Sequence, residues 1–200
     1  IKTNLSRAVK DAGKRVVFHQ LLPRRYRKAV GKAGVIPGKA VFLEEYQDTL
    51  SDNLRTVADM LKERDGYQIV PVYLKNGRDS YAAFQRRMEK AVDQIADAQV
   101  VFLSESSGMI SCLPMRPETK VIQLWHACGA FKKFGYSLSD KRYGASGNQL
   151  ERFPIHRNFT YVTVSSPEAV WAYAEAFHME DHKERIVAAG IARTDVYYKK

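Results

Sequence analysis

The sequence predicts an α/β fold: a parallel sheet flanked by helices, preceded by a basic amphipathic helix. Three observations carry this expectation. Short apolar stretches recur at 40–43, 69–74, 99–103, 121–124, 159–164 and 186–189. Between several of them lie segments whose apolar residues are three and four apart, and such strand–helix alternation implies parallel βαβ units. The third is charge. The 200 residues carry a net +10, and residues 1–40 hold eleven Lys or Arg against a single acid, Asp11, so the remainder is neutral. A hydrophobic content of 45% with 27% charged residues is that of a folded domain, not a disordered chain. The length suits one domain.

Residues 3–18 are expected to be helical, because Leu5, Ala8, Val9, Ala12 and Val16 share one face. Arg7, Lys10, Lys14 and Arg15 lie largely off that stripe, and Arg24, Arg25, Arg27 and Lys28 follow Pro23. Such a helix suits the interface of an anionic membrane, where each Lys or Arg contributes about 1 kcal/mol. The same stripe could instead pack on the domain, and a nucleic acid is the least expected partner. Residues 1–38 are therefore expected to be a membrane-associating segment ending in a linker (Gly31, Gly34, Pro37, Gly38), and 39–200 the folded domain. No apolar run approaches the ~18 residues of a membrane span, and there is no secretory h-region. Because the chain begins at Ile1, an upstream portion is expected.

A strand at 40–43 and a loop at 44–50 come next. Ser51, Asp52 and Asn53 then offer N-caps for a helix running to about Arg64, with Leu54, Val57, Ala58 and Leu61 on one face and Gly66 ending it. A strand at 69–74, a helix at 81–96 and a strand at 99–103 lead to the polar run 104–108, a helical turn at 109–113 and a loop. The chain is organised around 120–136. Val121, Ile122 and Leu124 read as a buried strand, Trp125 and His126 stand at its carboxyl end, and Ala127–Gly129 make a small-residue turn. Residues 130–134 resume a helix-like pattern. A long polar loop is expected at 137–157. After the strand at 159–164, Ser165–Glu168 opens a helix through Phe177. The strand at 186–189 and a turn at Gly190–Asp195 close the chain.

In open α/β sheets ligands bind at the carboxyl ends of strands. His126 is the leading catalytic candidate there, since imidazole titrates near neutral pH; the alternative is a hydrogen-bonded core histidine. Gly129, Lys132 and Lys133 at a helix start would suit a phosphate, or the lysines form a solvated face. Ser51, Asp52 and Asn53 are caps or contacts to an acceptor. Arg193 and Asp195 form a turn salt bridge or face a ligand. Cys112 and Cys128 match no disulfide framework, metal pattern or nucleophile arrangement, and fit a reducing cytoplasm. His178 and His182 complete no zinc pattern, so neither metal nor cofactor is expected.

The run Trp125-His126-Ala127-Cys128-Gly129-Ala130-Phe131-Lys132-Lys133-Phe134-Gly135 resembles the Trp-His…Lys-Lys signature of the CDP-glycerol glycerophosphotransferases, the primases and polymerases of teichoic acid. The stretch 41–53 is similar to that family's first strand and Ser-Asp-Asn loop, and 190–195 to its Gly-x-x-Arg-x-Asp segment. The residue after the histidine is Ala where Gly is commoner, and Leu54 stands where Pro often follows the Asn. The resemblance implies a Rossmann-like domain, the N-terminal, acceptor-side half of a GT-B-type transferase whose donor-binding domain lies outside this chain. It implies transfer of glycerol phosphate, or a related polyol phosphate, from CDP-glycerol or a similar donor to a lipid-linked acceptor, at the cytoplasmic face of the membrane. His126 would be the general base, and Lys132, Lys133 and the turn amides would hold phosphate. The half-enzyme alone is expected to be inactive. The alternatives are a nucleotide-sugar GT-B glycosyltransferase and a non-catalytic module binding anionic membranes.

Overall fold

The structure, a computed structural model, describes residues 11–139, 141–142, 144 and 146–198; Arg7 and Lys10 lie outside them. Six strands form one sheet: β1 (Ile36–Glu44), β2 (Gln68–Tyr73), β3 (Ala98–Leu103), β4 (Lys120–Gln123), β5 (Tyr161–Thr163) and β6 (Ile186–Val187). They lie in the order β2-β1-β3-β4-β5-β6, and every neighbouring pair is parallel. The helices are α1 (Leu22–Val30), α2 (Asp52–Lys62), α3 (Tyr81–Ile95), α4 (Gly108–Cys112), α5 (Gly147–Arg152) and α6 (Val170–Phe177).

Because both faces of the sheet are covered, its inner strands are apolar on both sides. Val41, Leu43, Val101, Leu103 and Val121 point into the larger core beneath α1, α3, α4 and α6. Ala40, Phe42, Phe102 and Leu124 point into a smaller one beneath α2. The chain leaves β1 for β2 on one side and returns to β3 on the other. The carboxyl ends of β1 and β3 are thus the point where strand order reverses, and a crevice opens there.

The amino-terminal region differs from the expected segment and linker. Residues 11–30 are helical, with a π-helical turn at Val17–Leu21. Val17, Phe18, Leu22 and Tyr26 are buried in the larger core, and the Tyr26 hydroxyl accepts a hydrogen bond from Arg116 N at 3.2 Å. Arg25 donates to both oxygens of Asp93 on α3. Lys14 lies 4.4 Å from the centre of the Phe153 ring. Arg15, Arg24, Arg27 and Lys28 are exposed. The apolar stripe is therefore occupied by the domain itself from Val17 onward, and the outward strip is basic.

The second half of the Gly/Pro-rich stretch, Pro37 and Gly38, is strand rather than linker, while Gly31 and Gly34 lie in the connection before it. Gly38 sits at φ +77°, its N donates to Gln99 Oε1 at 2.7 Å, and a β-carbon there would lie 1.7 Å from Gly66 O. The register with β3 shifts between Ile36 and Ala40. A glycine at a strand irregularity is the usual solution where another backbone approaches closely. The loop expected at 137–157 contains α5, whose N-cap Ser146 accepts from Gln149 N and whose Leu150 is buried. One buried apolar residue in six leaves too little periodicity to read.

Candidate active site

Three loops at the strand ends bring the site together. The β1–α2 connection supplies Gln47 and Thr49–Asn53, the loop after β3 supplies Ser104 and Glu105, and the turn after β4 supplies His126. With Arg55 and Arg193 they line a cleft of about 410 Å³ at the switch point. Such a volume suits a small polar ligand.

His126 owes its position to Trp125. This residue adopts φ +57°, a left-handed conformation that costs a bulky side chain about 1–2 kcal/mol. Aromatic packing offsets the cost: its indole stacks on Phe134 (5.0 Å between ring centres) and meets the edges of Phe177 (5.3 Å) and Tyr173 (6.4 Å). The reversal ends β4 and aims His126 at the cleft, with its imidazole stacked on the indole at 4.5 Å. His126 Nδ1 lies 3.2 Å from Ser104 O and 3.1 Å from Glu105 Oε1. The Glu105 carboxyl is pushed above the usual carboxylate range, chiefly by burial and in the same direction by Glu44; His126 opposes the shift.

The neighbouring groups are frame. Asn53, buried, donates through Nδ2 to Trp125 O and accepts through Oδ1 from Arg193 N at 2.7 Å. It clamps three segments together at the cleft wall. Ser51 occupies the N-cap position of α2, but its hydroxyl makes no cap bond; it pairs with Ser104 Oγ at 2.9 Å, while its N–H donates to Glu44 Oε2 at 3.0 Å. Asp52 is exposed beside Arg55. The Arg193 guanidinium lines the cleft and reaches Cys128 Sγ at 3.6 Å. Asp195 is exposed outside the cleft, and no salt bridge joins it to Arg193 among the described residues.

The expected phosphate-binding helix start is absent. Residues 127–134 form bends, and the first helical turn is the short 3-10 helix at Gly135–Leu138. Phe134 is drawn into the aromatic cluster while Phe131 is 95% exposed, so their three-residue spacing does not share a helical face. Lys132 is exposed and Lys133 pairs with Glu175 on α6 at 2.8 Å; neither they nor Gly129 line the cleft. The cations that do are Arg55 and Arg193. Arg55 and Glu105 escaped attention as site residues. Glu105's place after a strand adjoining β1 was the available signal, whereas Arg55 read as one more helix-surface charge.

The family model of the CDP-glycerol:poly(glycerophosphate) glycerophosphotransferases matches residues 26–200. The chain belongs to this family. It is 40% identical over 164 residues to the teichoic acid ribitol-phosphate primase of Bacillus spizizenii, a match covering 81% of this chain and 42% of the primase. Against the teichoic acid ribitol-phosphate polymerase TarK of Staphylococcus aureus it is 31% identical over 161 residues, covering 79% and 30%. The wall teichoic acid polymerase TagF shares the fold, with a TM-score of 0.67 at 19% identity over 99% of this chain and 49% of that one. The chain thus spans less than half the length of these relatives. What it contributes is a cleft lined by one histidine, two acids (Asp52 and Glu105) and two arginines. That set can take a proton from a hydroxyl and hold a phosphate.

Proposed function

We propose that the protein containing this chain transfers glycerol phosphate, or a related polyol phosphate such as ribitol phosphate, from its CDP-linked form to a hydroxyl of a lipid-linked acceptor in teichoic acid synthesis. This chain is the acceptor-side half of a GT-B-type enzyme. The observation that carries the reading is the imidazole of His126. It sits in the switch-point cleft with Nδ1 engaged by acceptors, which leaves Nε2 to receive a proton. The acceptor hydroxyl gives that proton to Nε2 as its oxygen bonds the transferring phosphorus. The bond from that phosphorus to CMP breaks, and CMP leaves with the electron pair. Arg193 and Arg55, as guanidinium donors, hold phosphate oxygens on the cleft wall.

The basic strip of Arg15, Arg24, Arg27 and Lys28 supports peripheral attachment to an anionic leaflet at the cytoplasmic face, beside the lipid-linked acceptor. The test uses the full-length protein with CDP-glycerol, CDP-ribitol and a UDP-sugar as donors. A CDP-polyol is used, and His126→Ala lowers turnover by about 10²–10⁴-fold without loss of folding. Turnover with UDP-sugar alone makes the protein a glycosyltransferase, and near-normal transfer by His126→Ala removes the base.

A further inference from the structure

The contacts at Nδ1 of His126 mark a second working group. Both of its neighbours, Ser104 O at 3.2 Å and the Glu105 carboxylate at 3.1 Å, are acceptors, so the ring satisfies both only when Nδ1 carries the hydrogen. We propose that Glu105 is the positioning residue of this site: its carboxylate holds His126 in the Nδ1–H tautomer and stabilises the imidazolium formed when Nε2 takes the acceptor's proton. The proposal rests on the assignment of His126 as the base.

Two features show that the pair is built. First, the two loops are tied through one fully buried amide. Gln123 Nε2 donates to Glu105 O at 2.9 Å, and Gln123 Oε1 accepts from Trp125 N, also at 2.9 Å. The separation of Glu105 and His126 is thereby set from the core, as is the left-handed turn at Trp125 that aims the ring. A hydroxyl pair, Ser104 with Ser51, pins the start of the Glu105 loop to the head of α2. Second, the carboxylate is directed. Arg55 and Arg193 line the same cleft, yet among the described residues the ion-pair partner of Glu105 is His126 and no Lys or Arg.

In the transfer step Glu105 stays ionised and Nδ1 keeps its hydrogen throughout. The proton moves from the acceptor oxygen to Nε2, the new phosphorus–oxygen bond forms, and CMP departs. A carboxylate holding the tautomer and facing the imidazolium acts on the transition state more than on binding, so its loss falls on kcat.

The experiment uses the full-length enzyme with CDP-ribitol or CDP-glycerol and compares Glu105→Gln, Glu105→Ala, His126→Ala and the double variant His126→Ala/Glu105→Gln. Glu105→Gln keeps the shape and an acceptor oxygen but loses the charge. Its expected kcat is lower by at least about tenfold, with the donor KM within about twofold. In the His126→Ala background the same substitution has no further effect, because Glu105 works through the ring. Nitrogen-15 spectra of the imidazole show hydrogen on Nδ1 in the wild type and a mixture of tautomers in Glu105→Ala. A wild-type kcat in Glu105→Gln overturns the proposal. So does an equal further loss in the double variant, which marks an independent structural role. Retained turnover in His126→Ala instead removes the base assignment, while the imidazole spectra still report whether Glu105 sets the tautomer.

Discussion

Replacing Glu45 by Gln tests the electrostatics at the carboxyl end of β1. Glu45 follows that strand directly and is only 5% exposed. Its Oε1 accepts from Asn76 Nδ2 at 3.1 Å, while Oε2 has no hydrogen-bond partner among the described residues. Burial, reinforced by the Glu105 and Glu44 charges, pushes its carboxyl from 4.5 up to about 7. Between those values the folded protein holds a proton that the unfolded chain releases, so stability is greatest below pH 4.5 and falls as pH rises through 7. At 1.36 kcal/mol per pH unit the loss amounts to about 3 kcal/mol. Gln is neutral at every pH and abolishes it. The assay is urea unfolding of both proteins at pH 5 and pH 8 at fixed ionic strength. The stability of wild type minus that of the variant should drop by about 2.5 kcal/mol on going from pH 5 to pH 8. Comparing two pH values removes any constant packing cost of the substitution. A difference that stays constant within about 0.5 kcal/mol would refute the reasoning, since Glu45 would then ionise equally in both states.

His156 carries the opposite slope. Burial among Trp125, Phe159 and Phe177 pushes it down from 6.5 to about 4, so its stabilising effect is present above pH 6.5 and is lost as pH falls through 4. His156→Phe should lower the pH midpoint of acid unfolding, measured by circular dichroism; in the wild type the two slopes oppose each other between pH 4.5 and 6.5. Asn53→Ala strands Trp125 O and Arg193 N, and should cost about 2–4 kcal/mol in denaturant titration. Asn53→Asp should also destabilise, because a carboxylate would face the Trp125 carbonyl. Gly38→Ala drives a β-carbon into Gly66 O and should cost more than about 3 kcal/mol or prevent folding. Gly34→Ala, with nothing among the described residues within 4 Å of the added carbon, should leave the melting temperature nearly unchanged.

The alternation of apolar runs and amphipathic segments made the parallel sheet legible. A chain that covers both faces of its strands must write them as continuous Val, Ile and Phe runs, as at 40–43 and 99–103. His126 was legible too, because a strand end followed by small residues is a local pattern. The strand at Gly38 was not, since its glycine answers to Gly66, distant in sequence. The helix expected at 130–134 failed for the same kind of reason: Phe134 answers to Trp125, Tyr173 and Phe177 rather than to its own neighbours.

Local order along the chain was enough for the fold class, the position of the histidine and the family, because each is written in consecutive residues. The partners of that histidine were not. Glu105 and Ser104 lie 21 and 22 positions away, and the contacts by which Asn53 joins Trp125 to Arg193 span most of the chain. Hydrogen bonds and ion pairs depend on separation in space, and strand order sets that separation. Placing β3 between β1 and β4 brought Glu105 to the imidazole and left Lys132 and Lys133 outside the cleft.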